Sequence, residues 1–424
     1  FMTDAPRLLS EPSEPVPPVV VDAAALAACV EALRQGSGLL AVDTERAGGH
    51  RYSQRAYLLQ FRRAGSGTWL IDPISAAADD GGFEALAEVI NPLTWVLHSA
   101  GGDLPALAEL GLAPTELFDS ELAGRLLGEE RVGLSAMLAT HLGVTLAKSH
   151  SAADWSRRPL PPAWLHYAAL DVELLLELAA DVSRELIETG RDVWAAQEFE
   201  FVRTSPPPAP DPQRWRKVKK LRTRAPRGLA VARALWFSRD ELARELDRTP
   251  SRLLPDSAIS ALATAAVGPQ PPTSVTALKQ VPGMADQPAA RRRRWLAAMQ
   301  EALELPASEL PPERVRSPGP PDPRNWARID PELATRFESV RARLTAQAEE
   351  LGLPRENLLS PRVVKTVVWD FAGPDTAAKD RLPPSPDDVA TALAAQGARP
   401  WQVELTAPEV AAGLAEKPTP DAAE

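Results

Sequence analysis

Two proline-dense runs constrain this chain more than any other feature. Ser205–Pro212 reads SPPPAPDP and Ser317–Pro323 reads SPGPPDP. Proline fixes φ and has no backbone N–H, so neither run supports a helix or a central strand, and each acts as a semi-rigid linker. A chain of 424 residues is too long for one ordinary domain in any case. The expected division is an α/β domain over 20–204, a helical domain over 211–312 and a second helical domain over 322–416, with linkers at 205–212 and 317–323. The ends, 1–18 and 417–424, are expected to be disordered. Prolines number 43, yet apolar residues make up 44% and charged residues 25%. Those are globular values and exclude general disorder.

Composition removes several classes. Cys29 is the only cysteine, which excludes an intrachain disulfide framework and a Cys-rich zinc site. No window of about 20 apolar residues exists to span a membrane. FMTDAPRLLSEPSEP lacks a basic-then-apolar leader, so the expected compartment is the cytoplasm.

The second and third parts look like copies. Asp211-Pro212-Gln213-Arg214-Trp215 opens one, and Asp322-Pro323-Arg324-Asn325-Trp326 opens the other. Glu245-Leu246 leads to Leu253-Leu254 across Pro250, as Glu350-Leu351 leads to Leu358-Leu359 across Pro354. Two matches in order point to a duplicated module, and its Ala, Leu, Arg and Glu at helical spacing predict a small all-α bundle.

The first part alternates. Leu39–Asp43 and Thr94–Ser99 read as strands, and Tyr57–Arg63 with Thr68–Asp72 reads as a hairpin about Ala64-Gly65-Ser66-Gly67. Helical patterns cover 83–90, 103–110, 120–128, 134–142 and a long stretch at 162–188. Asp43 and Glu45 share a face of their strand, where two like charges repel unless a cation binds or water solvates the strand end. Asp103 follows Gly101-Gly102 at a helix start, as an N-cap or as a third acid. In 162–188, Glu173, Glu177, Asp181 and Arg184 take one face. Asp171 falls within the apolar stripe of Leu170, Leu174, Leu175, Leu178 and Val182, beside Tyr167 four residues earlier. A carboxylate there must be paired, with Arg157 or Arg158, or metal-bound. His98 is expected to pack behind the acids, supporting a ligand at most.

Asp43, Glu45, Asp103 and Asp171 together supply oxygen ligands for two divalent ions about 4 Å apart. Tyr167 would hold an attacking water and help take its proton. The chemistry served is phosphodiester hydrolysis.

The order Asp-x-Glu, His-x4-Asp-Leu, Tyr-x3-Asp resembles the DEDD exonuclease superfamily in its tyrosine-containing branch. Asp154-Trp155-Ser156-Arg157-Arg158-Pro159-Leu160, followed by Tyr167-Ala168-Ala169-Leu170-Asp171-Val172, is similar to ribonuclease D. The resemblance covers about 25–200. It implies a ribonuclease-H-like α/β fold with a mixed sheet, two Mg2+ or Mn2+ ions, and 3′→5′ trimming of RNA. It also implies that the trailing bundles are HRDC-like, the second being divergent. Arg46 replaces the usual aromatic after Asp-x-Glu, and Arg46, Arg51 and Arg55 are either phosphate contacts or surface arginines.

Net charge is −10, but it is unevenly spread. Residues 211–254 hold 13 Lys and Arg against 5 Asp and Glu. The block Arg214, Trp215, Arg216, Lys217, Lys219, Lys220 and Arg222 is the expected RNA-binding surface, with Trp215 offered for base stacking. Arg291–Arg294 is a second cluster, either a binding surface or a solvated helix face. The expected partner is RNA with a free 3′ end, such as a tRNA precursor, bound by a monomer. A DNA exonuclease and an inactive RNA-binding adaptor are the alternatives.

Overall fold

A mixed sheet organises the first part. The structure, a computed structural model, describes residues 5–76, 82–147, 150, 152–315, 319–374, 376 and 382–416. Ser317 and Pro318 of the second linker and the tail 417–424 lie outside the described residues. Strands are β1 (Arg7–Leu9), β2 (Ser37–Arg46), β3 (Ala56–Ala64), β4 (Gly67–Ile71), β5 (Thr94–Leu97), β6 (Glu116–Asp119) and β7 (Val144–Leu146). The main sheet runs β4-β3-β2-β5-β6. β4, β3 and β2 are antiparallel neighbours, while β2-β5 and β5-β6 are parallel. The β3–β4 turn places Gly65 and Gly67 at φ 79° and 74°, a region glycine enters freely.

β2 is buried on both faces, which is why it reads as a continuous apolar run. Leu40 and Val42 join the main core. Ala41 packs on the other side with Val96, Val172, Leu175 and Ala179. The odd-numbered face of β2 thus looks toward the helices that follow Pro161.

Three expectations need correction here. The stretch 1–18 is not all disordered: β1 pairs in parallel with β7, Arg7 opposite Val144, and Ser13 N donates to Glu173 Oε1 at 3.1 Å. The expected helix 162–188 is two helices, Pro162–Glu173 and Leu175–Glu188, broken at Leu174 with φ −118° and ψ 13°. The break shifts the helical phase, so Glu173 turns inward, 3% exposed, rather than lying on the solvent face with Glu177.

Each trailing part repeats one order of elements. The first has helices Pro226–Leu246, Pro250–Leu253, Asp256–Ala266 and Ala289–Glu304. The second has Pro331–Glu350, Arg355–Leu358, Pro361–Ala372 and Pro400–Ala415, with Pro386–Ala395 inserted before the last. Trp215 and Trp326, matched in the sequence, are both buried.

The two modules relate differently to the sheet. The first holds its own core, around Leu235, Ile259, Leu262 and Trp295. The last shares one continuous core with the α/β domain. Trp401 stacks on Trp194 with centroids 4.8 Å apart and planes at 16°. Its Nε1 donates to Glu198 at 2.8 Å, and Arg399 pairs with the same carboxylate at 2.7 Å.

Candidate active site

Four acids are delivered by three elements. β2 contributes Asp43 and Glu45 from the face that looks toward helix Pro162–Glu173, which contributes Tyr167 and Asp171. Asp43, Glu45 and Asp171 each offer a carboxylate oxygen within 4.8 Å of the others. The Tyr167 hydroxyl hydrogen-bonds to Asp171, the i to i+4 neighbour expected of helix geometry.

Asp103 arrives from a strained turn. After β5, Ser99 adopts φ 66°. Asp119, at the end of β6, accepts from Ser99 N at 3.1 Å and Ala100 N at 2.8 Å and so fixes the turn. Asp103 occupies the cap position of helix Leu104–Ala108 but makes no side-chain capping bond. Its carboxylate instead accepts from Thr44 Oγ1 at 2.5 Å and lies 3.9 Å from Arg46 Nε. A Cβ on Gly102 would stand 2.9 Å from the Arg46 guanidinium, so glycine leaves room for that side chain.

The acids strain one another. Burial, then the charges of Asp103, Asp171 and Glu45, raises Asp43 well above the carboxylate range. Burial and the charges of Asp171 and Asp103 push Glu45 to about 9, against the opposing pull of Arg46. Burial lifts Asp171 to about 7, opposed by the Tyr167 hydrogen bond. Asp103 is raised by burial and held down by Thr44 and Arg46. Burial and the neighbouring acids raise Tyr167, which is a neutral phenol at ordinary pH. Buried like charges with one nearby arginine are the donor set a hard cation fits.

Arg158, one alternative partner for Asp171, is engaged elsewhere: its Nε and Nη2 grip both carboxylate oxygens of Asp72, at 2.6 and 2.8 Å. Just after β5, His98 Nδ1 meets Ser120 Oγ at 2.9 Å, and that hydroxyl donates to Leu97 O, so the hydrogen-bond partner of His98 is none of the four acids. Burial lowers its pKa. Thr44 and Asp119 were not singled out from the sequence. Thr44 sits inside the Asp-x-Glu motif, but its partner lies 59 residues away.

The basic block is partly surface and partly core. Arg214, Lys217, Lys219, Lys220 and Arg222 are exposed, although Lys217 pairs with Asp211 at 2.8 Å. Trp215 is only 2% exposed and Arg216 covers its ring at 4.4 Å. It is a core residue with no open face for a base, so the expected stacking role is withdrawn. In the second cluster Arg292 is buried, donating to Ala285 O. Arg294 pairs with Glu241 and Glu245.

Comparison with known proteins agrees with this geometry. Residues 18–187 match a family described as 3'-5' exonuclease, 228–298 match the HRDC domain, and 319–414 match a 3' to 5' exonuclease C-terminal domain. The HRDC description therefore falls on the first helical module, and the last carries a different one. A ribonuclease D from Jannaschia sp. is 30% identical over 338 residues, covering 78% of this chain and 83% of that one. The chain belongs to the ribonuclease D family. It is a 3′→5′ exoribonuclease. A crystal structure of a protein from Bifidobacterium adolescentis is similar at TM-score 0.86 and 36% identity, over 96% of this chain and 99% of that one. Escherichia coli RNase D, described as an exoribonuclease involved in structured RNA processing, is similar at TM-score 0.62 and 25% identity, over 83% and 90%. No helix among the described residues is long and apolar enough to cross a membrane.

Proposed function

We propose that Asp43, Glu45, Asp103 and Asp171 hold two divalent cations, Mg2+ or Mn2+, and that Tyr167 acts beside them in hydrolysing the terminal phosphodiester of RNA. The observation that carries this is the convergence of Asp43, Glu45 and Asp171 oxygens within 4.8 Å, with Asp103 drawn to the same strand end by Thr44. Bound cations would make water nucleophilic at neutral pH and offset charge on the leaving oxygen. Water oxygen bonds to phosphorus and the P–O3′ bond breaks. A 5′-mononucleotide leaves, and the shortened RNA keeps a 3′ hydroxyl.

Tyr167 remains a neutral phenol anchored on Asp171, so its oxygen orients the water and receives its hydrogen bond. Thr44 holds Asp103 in place. Asp119 braces the turn that presents it, and His98 packs on the neighbouring Ser120. Arg46 faces Asp103 and stands where a phosphate or terminal sugar would pass.

The exposed Arg214, Lys217, Lys219, Lys220 and Arg222 form the RNA-capturing face in this reading. The substrates are 3′ extensions on stable, structured RNA such as tRNA precursors, trimmed by a cytoplasmic monomer. The similarity to an enzyme described as processing structured RNA supports that choice. The test is digestion of a 3′-extended tRNA precursor with Mg2+ or Mn2+, against a matched DNA and with Asp43→Ala and Asp171→Ala. Stepwise loss of 3′ nucleotides from RNA by the wild type alone is expected. Equal cleavage by the variants would refute the site. Preference for DNA would favour the DNA exonuclease, and absence of cation binding would favour the adaptor.

A further inference from the structure

The loop Ala47–Arg55 leaves β2 directly after Arg46, one residue beyond Glu45, and is held from two sides. On the catalytic side, Ala47 is buried with Tyr57, Trp155 and Ala168, and Tyr167 packs against this group. His50 N and Arg51 N both donate to Ala47 O, at 2.8 and 2.7 Å. Arg51 Nε donates to Ser156 Oγ at 2.7 Å, and His50 Nδ1 lies 3.6 Å from Asp154. Trp155, between those two partners, has its ring 6.4 Å from that of Tyr167.

On the other side stands the C-terminal end of helix Pro226–Leu246 in the first helical module. Asp247 ends that helix in a left-handed conformation, φ 44°. Its Oδ1 accepts from Tyr52 N at 3.2 Å and Ser53 N at 2.9 Å. Its Oδ2 accepts from the Tyr57 hydroxyl at 3.4 Å and lies 3.9 Å from Arg55. Thr249 N donates to His50 O at 3.2 Å, and its hydroxyl is 3.2 Å from both Gly48 O and Arg51 O. Tyr52 OH donates to Asp240 at 3.0 Å. The module's core is separate from that of the catalytic domain, and this polar seam joins the two.

The seam therefore satisfies backbone groups at five consecutive or near-consecutive loop positions, from Gly48 to Ser53. A segment with two adjacent glycines has little stiffness of its own, and catalytic geometry displaced by 1 Å can cost about a hundredfold in rate. We propose that Asp247 and Thr249 are positioning residues for cleavage. Through them the first helical module sets the loop that walls the acidic site and buttresses Trp155 and Tyr167. The module then acts on the chemical step as well as on RNA capture. This rests on the assignment of Tyr167 and the four acids as the site.

The experiment is single-turnover cleavage, at saturating enzyme and cation, of a trinucleotide RNA that engages the acidic site and of a 3′-extended tRNA precursor. Asp247→Ala and Thr249→Val should slow cleavage of both RNAs roughly tenfold, the order expected for one or two lost hydrogen bonds. The dissociation constant for the long RNA should stay within about twofold. Thr249→Ser, which keeps the hydroxyl, should retain the wild-type rate. Tyr52→Phe, which removes the half-buried hydroxyl that donates to Asp240 and accepts from Arg244, should give a smaller loss in the same direction. Unchanged trinucleotide cleavage in Asp247→Ala, Thr249→Val and Tyr52→Phe, or a loss confined to affinity for the long RNA, would overturn the proposal. Asp43→Asn alongside must abolish both reactions. Wild-type cleavage there would overturn the site assignment itself, and the positioning role with it.

Discussion

Asp171→Asn should stabilise the cation-free protein while ending its activity. Asp171 stands at about 7 against an ordinary 3.8, raised chiefly by burial. Between about pH 4 and 7 the folded chain therefore holds a proton that the unfolded chain has released, and stability falls as pH rises through that window. At about 1.4 kcal/mol per tenfold, the full cost above pH 7 has an upper bound of about 4 kcal/mol. Asparagine removes the charge, keeps an oxygen for the Tyr167 hydroxyl, and also relieves Glu45, on which Asp171 exerts the largest charge effect. At pH 8 with a chelator, a gain of about 2–4 kcal/mol is expected, or a melting temperature higher by several degrees. At pH 4.5 the difference should shrink to about 1 kcal/mol or less. Millimolar Mg2+ or Mn2+ should raise the melting temperature of the wild type and not of the variant. The assay is calorimetry across pH with and without the cation. An Asp171→Asn protein less stable than wild type at pH 8 without cation would refute the electrostatic reasoning.

Three further outcomes follow from the same geometry. Tyr167→Phe should lower the cleavage rate by roughly ten- to a hundredfold, with cation binding by calorimetry unchanged. Trp401→Ala should destabilise the catalytic domain by about 3–5 kcal/mol, seen as lost amide-exchange protection in 20–204, because Trp401 belongs to the continuous core that the last module shares with that domain. Combined Lys219→Ala, Lys220→Ala and Arg222→Ala should weaken long-RNA binding and flatten its salt dependence by up to about two to three phosphate contacts, measured by titration at several salt concentrations.

The chemistry of this chain was more legible than its assembly. Asp43 with Glu45 and Tyr167 with Asp171 follow from periods of 2 and 3.6, so local geometry alone places each pair on one face. The partners that hold them are distant. Thr44 meets Asp103 across 59 residues, and Tyr52 meets Asp247 across 195, separations that no local pattern encodes. β1 escaped notice because its backbone groups are satisfied by a strand at 144–146. The break at Leu174 is equally hidden, since Leu favours helix and only packing sets the two phases. Trp215 shows the limit of composition: an aromatic among cations reads the same whether it faces solvent or, as here, the core. The net charge of −10 likewise averages an acidic site with an exposed basic face.

The central claim is that the four acids and Tyr167 remove nucleotides from RNA 3′ ends with divalent cations. Its most direct test is time-resolved digestion of a 5′-labelled, 3′-extended RNA by wild type and Asp43→Asn, with Mg2+ or Mn2+ and then with chelator. The account predicts a ladder shortening one nucleotide at a time, release of 5′-mononucleotides, and no cleavage by the variant or under chelation. Internal fragments, or a ladder that persists in Asp43→Asn, would contradict it.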